Sequence, residues 1–246
     1  MRSILTAMLF LSITVTALAK DFSFAGQDFP PFNYQEGAEV KGAVVDVMKK
    51  LCEELKHTCT FSILPLVRAW KVLEDGEIHG VLSMLPNPER NLLANFSPTV
   101  AVTDVSYMSV KDTAKLKNYK ELAGWTVAGI RASTLIKIVQ KHNEEVKTMD
   151  IKEEVSNEAL VLKLTGGIYG KKSAILGSED VLNHIAKKAA VQIEPILKLE
   201  AQEFKIAFSK KKVDEKDLAA FNKALEGLKK SGALKKILEP YSLRMN

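Results

Sequence analysis

The segment 61–85, FSILPLVRAWKVLEDGEIHGVLSML, decides the fold because two kinds of pattern alternate within it. Residues 60–64 are typical of a strand, and residues 68–74 have the spacing of a short helix that ends near Gly76. Residues 78–85 then form an apolar run, which is typical of a buried strand. The same alternation continues along most of the chain. It predicts an α/β fold in which helices cover both faces of the sheets.

The composition indicates a globular protein and excludes several other classes. The chain has 246 residues, of which 46% are hydrophobic and 26% charged, so it can form one large domain or two small ones. It contains a single long apolar run, which excludes a polytopic membrane protein. The 35 basic and 30 acidic residues leave a net charge of only +5, so we expect no nucleic-acid partner.

The N-terminus has the pattern of an export signal. Arg2 precedes an apolar stretch over residues 4–18, and Ala17-Leu18-Ala19 fits the small-x-small cleavage rule. We therefore predict a signal peptide over residues 1–19, cleaved after Ala19, and a mature protein in the periplasm. The alternative is a membrane anchor, which is disfavoured because the apolar stretch is short and no basic cluster follows it.

The chain has only two cysteines. Cys52 lies near the end of a predicted helix, and Cys59 lies at the start of the next predicted strand. In an oxidising compartment this pair is expected to form a disulfide. A redox motif is disfavoured because the spacing is not C-x-x-C. The four histidines show no metal-ligand spacing, so we predict neither a metal nor any other cofactor. They are His57, His79, His142 and His184.

Several short motifs occur in a fixed order along the chain. They are DFPPFNY at 28–34, VKGAVVDV at 40–47, LEDGEIHG at 73–80, NPER at 87–90, NFSP at 95–98 and a tail that runs from AFSK at 207–210 to Tyr241. Through these motifs, nearly all of the mature chain resembles the periplasmic solute-binding proteins of the polar amino acid uptake type, bacterial extracellular solute-binding protein family 3. The cysteine pair also lies where the histidine and lysine/arginine/ornithine binders carry theirs.

The resemblance implies a two-lobed periplasmic binding protein-like fold of type II, with two α/β sheets joined by a two-strand hinge. Lobe 1 would comprise residues 20–106 plus 205–246, and lobe 2 would comprise residues 107–204. A small polar, carboxylate-bearing ligand (an amino acid or a related organic acid) would bind in the cleft and be captured by hinge closure. The protein would then deliver it to an inner-membrane ABC permease. The protein would be a monomer and not an enzyme. There are two alternatives: a ligand-sensing protein that docks on a receptor, and a dehydratase-type enzyme on the same fold.

Three side chains are candidates for binding a ligand carboxylate. Arg90 follows an apolar strand, and a guanidinium can hold a carboxylate through two parallel hydrogen bonds. Ser133 and Thr134 open a predicted helix, where hydroxyls and free backbone N–H groups attract anions. The resemblance implies that all three contact the ligand carboxylate, from opposite lobes. A surface arginine and an ordinary helix cap remain the alternatives.

Four more side chains are placed near the cleft by the resemblance or by their position at a strand end. Phe29 would pack on the ligand side chain, although it could equally belong to the core. Ser83 ends a buried strand and could form one hydrogen bond with the ligand. Arg68 and Trp70 would border the cleft, but a solvent-exposed helix face explains them equally well.

The main departure from the family lies in the second lobe. Amino acid binders carry an Asp there that pairs with the ligand ammonium, and Ser178 takes its place here, followed by Glu179 and Asp180. If neither acid turns inward, a buried ammonium would be unpaired, which disfavours a zwitterionic amino acid. Arg131, together with Arg68 and Arg90, instead favours an acidic or multi-carboxylate solute.

Overall fold

The computed structural model describes residues 19–245, so the predicted signal peptide lies, apart from Ala19, outside the described residues. The helices are α1 (Ala43–Glu54), α2 (Leu66–Asp75), α3 (Pro88–Leu93), α4 (Thr134–Val146), α5 (Asn157–Thr165), α6 (Glu179–Lys188), α7 (Glu215–Lys230) and α8 (Ala233–Leu238). Two 3-10 turns cover Tyr119–Leu122 and Glu239–Tyr241. Within this part of the chain, no helix is both long and apolar enough to cross a membrane.

Among residues 19–245, thirteen strands form two main sheets and one small hairpin. The strands are β1 (Asp21–Gly26), β2 (Tyr34–Glu36), β3 (Glu39–Lys41), β4 (Thr58–Ile63), β5 (Gly80–Met84), β6 (Ala94–Phe96), β7 (Ala101–Thr103), β8 (Val105–Val110), β9 (Thr126–Ile130), β10 (Asp150–Glu154), β11 (Ser173–Ser178), β12 (Ile193–Lys198) and β13 (Gln202–Ser209). The predicted α/β fold with two sheets is confirmed.

The first sheet has the order β4-β1-β5-β13-β6, with β7 also paired to β13. Strands β1, β4 and β5 run parallel to one another, and β13 returns antiparallel to β5. All five residues of β5 are buried, which is expected for a central strand covered on both faces. The core beside it includes edge-to-face contacts between the Phe24 ring and the rings of Phe208 and Phe221.

The second sheet has the order β10-β9-β11-β8-β12. Strands β9, β10 and β11 are parallel, whereas β8 and β12 run antiparallel to their neighbours. The helices that follow β9 and β11 begin with serine caps, because the Ser133 and Ser178 hydroxyls accept hydrogen bonds from Ile136 N and Val181 N. The carboxyl ends of these strands and the first turns of their helices therefore lie at the same edge of the sheet.

Within the described residues the chain crosses between the two sheets twice, and the strands next to the two crossings pair with each other. The first crossing lies between β7 and β8, and the second between β12 and β13. Strands β7 and β13 pair antiparallel, with Thr103 opposite Gln202 and Ala101 opposite Phe204. This pair forms the two-strand connection. The lobe limits of 106/107 and 204/205 stay a prediction, a few residues beyond the points where the chain changes sheet.

Hydrogen bonds hold the start of α1 against the turn that follows β1. Ala43 N and Val44 N donate to Pro31 O and Phe32 O at 2.9 and 2.8 Å. Gly42 precedes them with a φ of +124°, and a Cβ on it would lie 2.4 Å from the Phe32 carbonyl oxygen. Only glycine fits this position. The PPF turn and the G-x-x-x-D helix start, which the sequence shows as separate motifs, are therefore one packed unit.

The predicted disulfide is present and joins Cys52 in α1 to Cys59 in β4. The bridge closes a short loop, since the two residues are 7 positions apart. A loop of this size restricts the unfolded chain by an entropy equivalent to about 2.5 kcal/mol.

We predict that the double substitution Cys52→Ser/Cys59→Ser lowers the free energy of unfolding by about 2.5 kcal/mol, because the unfolded chain regains that freedom. Urea denaturation of both proteins measures the difference. As a control, a reducing agent should destabilise only the parent. A loss under 0.5 kcal/mol, or equal sensitivity of both proteins to the reductant, would contradict this account.

Candidate functional site

The carboxyl ends of the central strands in both sheets face one another across a cleft. Eight lining residues come from the first sheet and its helices, and eight from the second. They are Gln27, Phe29, Leu66, Ser83, Met84, Leu85, Arg90 and Phe204 on one side, and Ile130, Ser133, Thr134, Leu135, Asn157, Leu176, Gly177 and Ser178 on the other. The cavity that remains between them is narrow, about 40 Å³.

Arg90 is a buried cation in this cleft. The residue is only 7% exposed, and its Nη1 donates to Leu85 O at 2.9 Å. The side chain of Asn87 caps α3 by accepting from Arg90 N at 2.8 Å, which fixes the backbone from which the guanidinium extends. Burial lowers the pKa of Arg90 from its ordinary value to about 10, so the guanidinium is charged at neutral pH.

No acidic side chain among residues 19–245 forms an ion pair with this guanidinium. The neighbouring acid, Glu89, pairs with Lys137. Beneath the guanidinium lies the ring of Trp70, with Cζ of Arg90 at 4.8 Å from the ring centroid. A cation over an aromatic face is attracted by the ring, but it keeps its charge and its need for an anion. Arg90 is thus a positioned, desolvated cation without a countercharge in the described part of the chain.

Arg90 also reaches the opposite lobe. Its Nη2 donates to Ala132 O and its Nη1 to Thr134 Oγ1, both at 3.2 Å. Thr134 opens the thirteen-residue helix α4, and Ser133 caps it, so the N-terminus of this helix lies beside the guanidinium. A carboxylate placed here would meet a cation from one lobe and a helix N-terminus from the other.

Ser133 and Phe29 each have a structural position that is compatible with contact to a ligand. Their ligand roles stay predictions. Ser133 is an ordinary helix cap and also lines the cleft. Phe29 is only 5% exposed, and its ring lies 5.0 Å from Phe32 and 5.2 Å from Phe204, so it belongs to the core and forms part of the cleft wall.

Ser83 lies in the cleft at the end of β5 and has a positive φ of 54°. Its hydroxyl donates to the Oδ1 of buried Asn33, whose Nδ2 donates to Gln27 O at 2.7 Å. This chain of hydrogen bonds fixes the backbone of Gln27, a lining residue that none of the sequence motifs indicated. The same is true of Asn157. Both residues directly follow parallel strands or their loops, and a search of strand ends for amide side chains could have found them.

Three predicted residues do not line the cleft. Arg68 is exposed on α2, and Trp70 contacts Arg90 from beneath rather than facing the cavity. Arg131 is exposed and borders a shallow groove beside Leu66 and Val155. The hypothesis of a multi-carboxylate solute needed three arginines in one cleft, and the structure places one there. The reason is local: residues 68 and 131 fall on the solvent side of their elements.

The end of β11 contains no inward-facing carboxylate. The Ser178 hydroxyl caps α6 and lies 2.7 Å from Thr103 Oγ1. Glu179 accepts a hydrogen bond from Ser106 Oγ and Asp180 accepts one from Thr103 Oγ1, both at 2.5 Å. Burial raises the pKa of the Asp180 carboxyl. Both acids thus bind residues at the strand crossing, and neither is among the lining residues.

These features define a two-lobed α/β protein with a buried, uncompensated cation in the cleft at the strand ends. The family model for bacterial extracellular solute-binding proteins, family 3, matches residues 24–244. The chain therefore belongs to this family, as its motifs indicated. Members of the family are periplasmic or extracellular solute-binding proteins.

Individual relatives are distant. The probable amino-acid-binding protein YxeM of Bacillus subtilis (strain 168) is 26% identical over 221 residues, which cover 88% of this chain and 81% of the relative. The ABC transporter arginine-binding protein 1 of Escherichia coli (strain K12) is 24% identical and covers 98% of this chain and 99% of its own. Among solved structures, an ancestral arginine-binding protein bound to arginine has a TM-score of 0.81 at 21% identity, covering 90% and 97% of the two chains.

A second contact joins the lobes outside the cavity. The ion pair between Glu89 and Lys137 links α3 to α4, and its two side chains are 76% and 44% exposed. An exposed ion pair of this kind stabilises by about 0.2 to 1 kcal/mol. It therefore biases the protein toward the narrow cleft without deciding that state alone.

We predict that Glu89→Lys lowers the ratio of the narrow-cleft state to the open state by about two- to fivefold, since attraction becomes repulsion. The radius of gyration from small-angle X-ray scattering should rise at low salt. The matched control is the double reversal Glu89→Lys/Lys137→Glu, which should restore the parent value. An unchanged radius in the single variant, or no rescue in the double, would show that the pair does not couple the lobes.

Proposed function

We propose that this protein captures a small carboxylate-bearing solute, an amino acid or related organic acid, and delivers it to an ABC permease. The observation that carries the proposal is the uncompensated charge of Arg90. A buried guanidinium is destabilising unless an anion pairs with it, and a bound carboxylate supplies both the charge and the acceptors. The names of the relatives, which are amino-acid- or arginine-binding proteins, support this class of solute.

Closure supports the same proposal. Arg90 belongs to one lobe and the first turn of α4 to the other, so a carboxylate between them bonds with both lobes at once. Such a ligand favours the narrow arrangement over an open one by the interactions that only closure provides. The closed shape is then the signal by which a permease would distinguish the loaded protein.

The lining residues favour binding over catalysis. In the described cleft they include no histidine, cysteine, lysine or acid that could transfer a proton or attack a substrate. We therefore assign no catalytic residue. The export signal predicted over residues 1–19, together with the location of the family, leads us to place the mature protein in the periplasm.

We predict that Arg90→Gln weakens solute binding by about 30-fold or more, the equivalent of at least 2 kcal/mol, because the ligand carboxylate loses its cation. Isothermal titration calorimetry on the best ligand from a thermal-shift panel of amino acids and carboxylic acids measures the loss. Arg68→Gln is the matched control, since Arg68 is exposed and outside the cleft. Equal loss in both variants, or none at Arg90, would contradict the proposal.

The pKa of Arg90 predicts a pH dependence. Its value of about 10 in the free protein means that the guanidinium is protonated up to about pH 9. A bound carboxylate favours the protonated form, so the affinity is retained below this pKa and is lost as the pH rises through it. Calorimetry with a ligand that does not titrate above pH 6 should show constant affinity from pH 7 to about pH 9 and a decline beyond about pH 10. A decline centred near pH 8 would identify another group.

A further inference from the structure

The charge balance of the cleft selects among carboxylate ligands. Of the sixteen lining residues, Arg90 is the only charged one, and no acid is among them in the described chain. We propose that the solute is a monoanion without an ammonium group: a compact carboxylic acid with an apolar body and at most a keto or hydroxyl substituent. This inference rests on the proposed function and specifies its ligand.

The net charge of the closed cleft depends on the charge of the ligand that binds beside Arg90. A monoanion on Arg90 leaves the closed cleft neutral. A zwitterionic amino acid leaves a net charge of +1, and a ligand with a further cationic side chain leaves +2. Uncompensated buried charge is strongly unfavourable, since the interior cannot replace the lost hydration. The closed arrangement therefore favours the monoanion over its amino counterpart.

Four acids that lie within two positions of a lining residue in the sequence are engaged elsewhere. Glu179 and Asp180 accept hydrogen bonds from Ser106 and Thr103, and Glu203 accepts one from Thr99. The Asp28 carboxyl is hydrogen-bonded to the Gln35 backbone. Each of these carboxylates has a partner outside the cavity, and turning one inward would break that bond. None is positioned to receive a ligand ammonium.

The neutral polar groups of the cleft suit an oxygen substituent. Ser83, Asn157 and Ser178 are 1%, 4% and 1% exposed and line the cavity. The Asn157 amide has only a long 3.5 Å contact with Asp28 O, which leaves a donor available. The Asn157 amide can donate to a keto or hydroxyl oxygen. The hydroxyl protons of Ser83 and Ser178 are engaged with Asn33 and Thr103, so these two oxygens can only accept, from a ligand hydroxyl. None of these bonds adds a net charge.

The rest of the wall is apolar, which sets the ligand body. Half of the lining residues are hydrophobic: Phe29, Leu66, Met84, Leu85, Ile130, Leu135, Leu176 and Phe204. Such a wall favours an aliphatic or aromatic ligand body over a long polar chain, because a polar chain would lose its hydration there without gaining partners. In this respect the cleft differs from what a guanidinium-bearing ligand such as arginine would need.

Matched ligand pairs test the inference on the purified mature protein, after partial denaturation and refolding to remove bound solute. The probes are 4-methyl-2-oxopentanoate and L-leucine, which differ at the substituent beside the carboxylate, with L-arginine and pentanedioate as further comparisons. Calorimetry should show the oxo acid binding at least about tenfold more tightly than L-leucine, a difference of 1.4 kcal/mol or more. L-Arginine and pentanedioate should be weaker than the oxo acid.

A pair of variants at Ser178 separates charge from size. Ser178→Asp places a carboxylate at the end of β11, and Ser178→Asn places an uncharged side chain of the same size there; both residues can cap α6. The Asp variant should shift the affinity ratio toward L-leucine by about tenfold or more, because the ammonium gains a partner. The Asn variant should leave the ratio unchanged even if both affinities fall. If neither variant folds, the comparison in the parent protein decides.

The outcomes separate this inference from the proposed function. If L-leucine or L-arginine binds as tightly as the oxo acid, and Arg90→Gln weakens it, the inference is overturned and the proposed function stands. An unchanged ratio in a folded Ser178→Asp variant also overturns the inference. If no probe in the panel depends on Arg90, the proposed function fails, and the inference fails with it.

Discussion

The structure depends on one buried charge. The Arg90 guanidinium is held by Leu85 O and by the ring of Trp70, and across the cleft it donates to Thr134 Oγ1 and Ala132 O at the N-terminus of α4. All of these partners position it, and none neutralises it. A protein can retain such a cation only if its free energy cost is offset elsewhere or removed by an anion. Arg90 therefore donates to neutral oxygens of the opposite lobe, at the place where a carboxylate would supply both acceptors and charge.

The fold serves this arrangement by bringing strand ends from two sheets to one place. Ligands of open α/β sheets bind at the carboxyl ends of their strands, and here two such edges face each other. The chain crosses between the sheets only at the β7–β8 and β12–β13 connections. Because β7 pairs with β13, the two crossings lie side by side and can bend together. Small changes at this pair would alter the width of the cleft, as in hinge closure generally.

Much of the fold could be predicted, because its central strands are apolar runs and its helices carry caps. The short strands could not. Strands β6 and β7 have three residues each, and β10 reads DIKEE, so neither length nor alternation distinguishes them from loops. For the site, Arg90, Ser133 and Thr134 follow visible strand-to-helix transitions. The positions of Arg68 and Arg131 depend on which side of an element faces the other lobe, and local sequence does not contain that information. Gln27 and Asn157, by contrast, follow strand ends, where a search for amide side chains could have found them.

The central claim is that Arg90 exchanges its contact with the opposite lobe for a ligand carboxylate. A crystal structure of the protein with its tightest-binding carboxylic acid tests this directly. The account predicts both carboxylate oxygens within about 3 Å of Arg90 Nη1 and Nη2, with the N–H groups of the first turn of α4 completing the site. A carboxylate bound elsewhere, with Arg90 Nη2 still donating to Ala132 O, would contradict it.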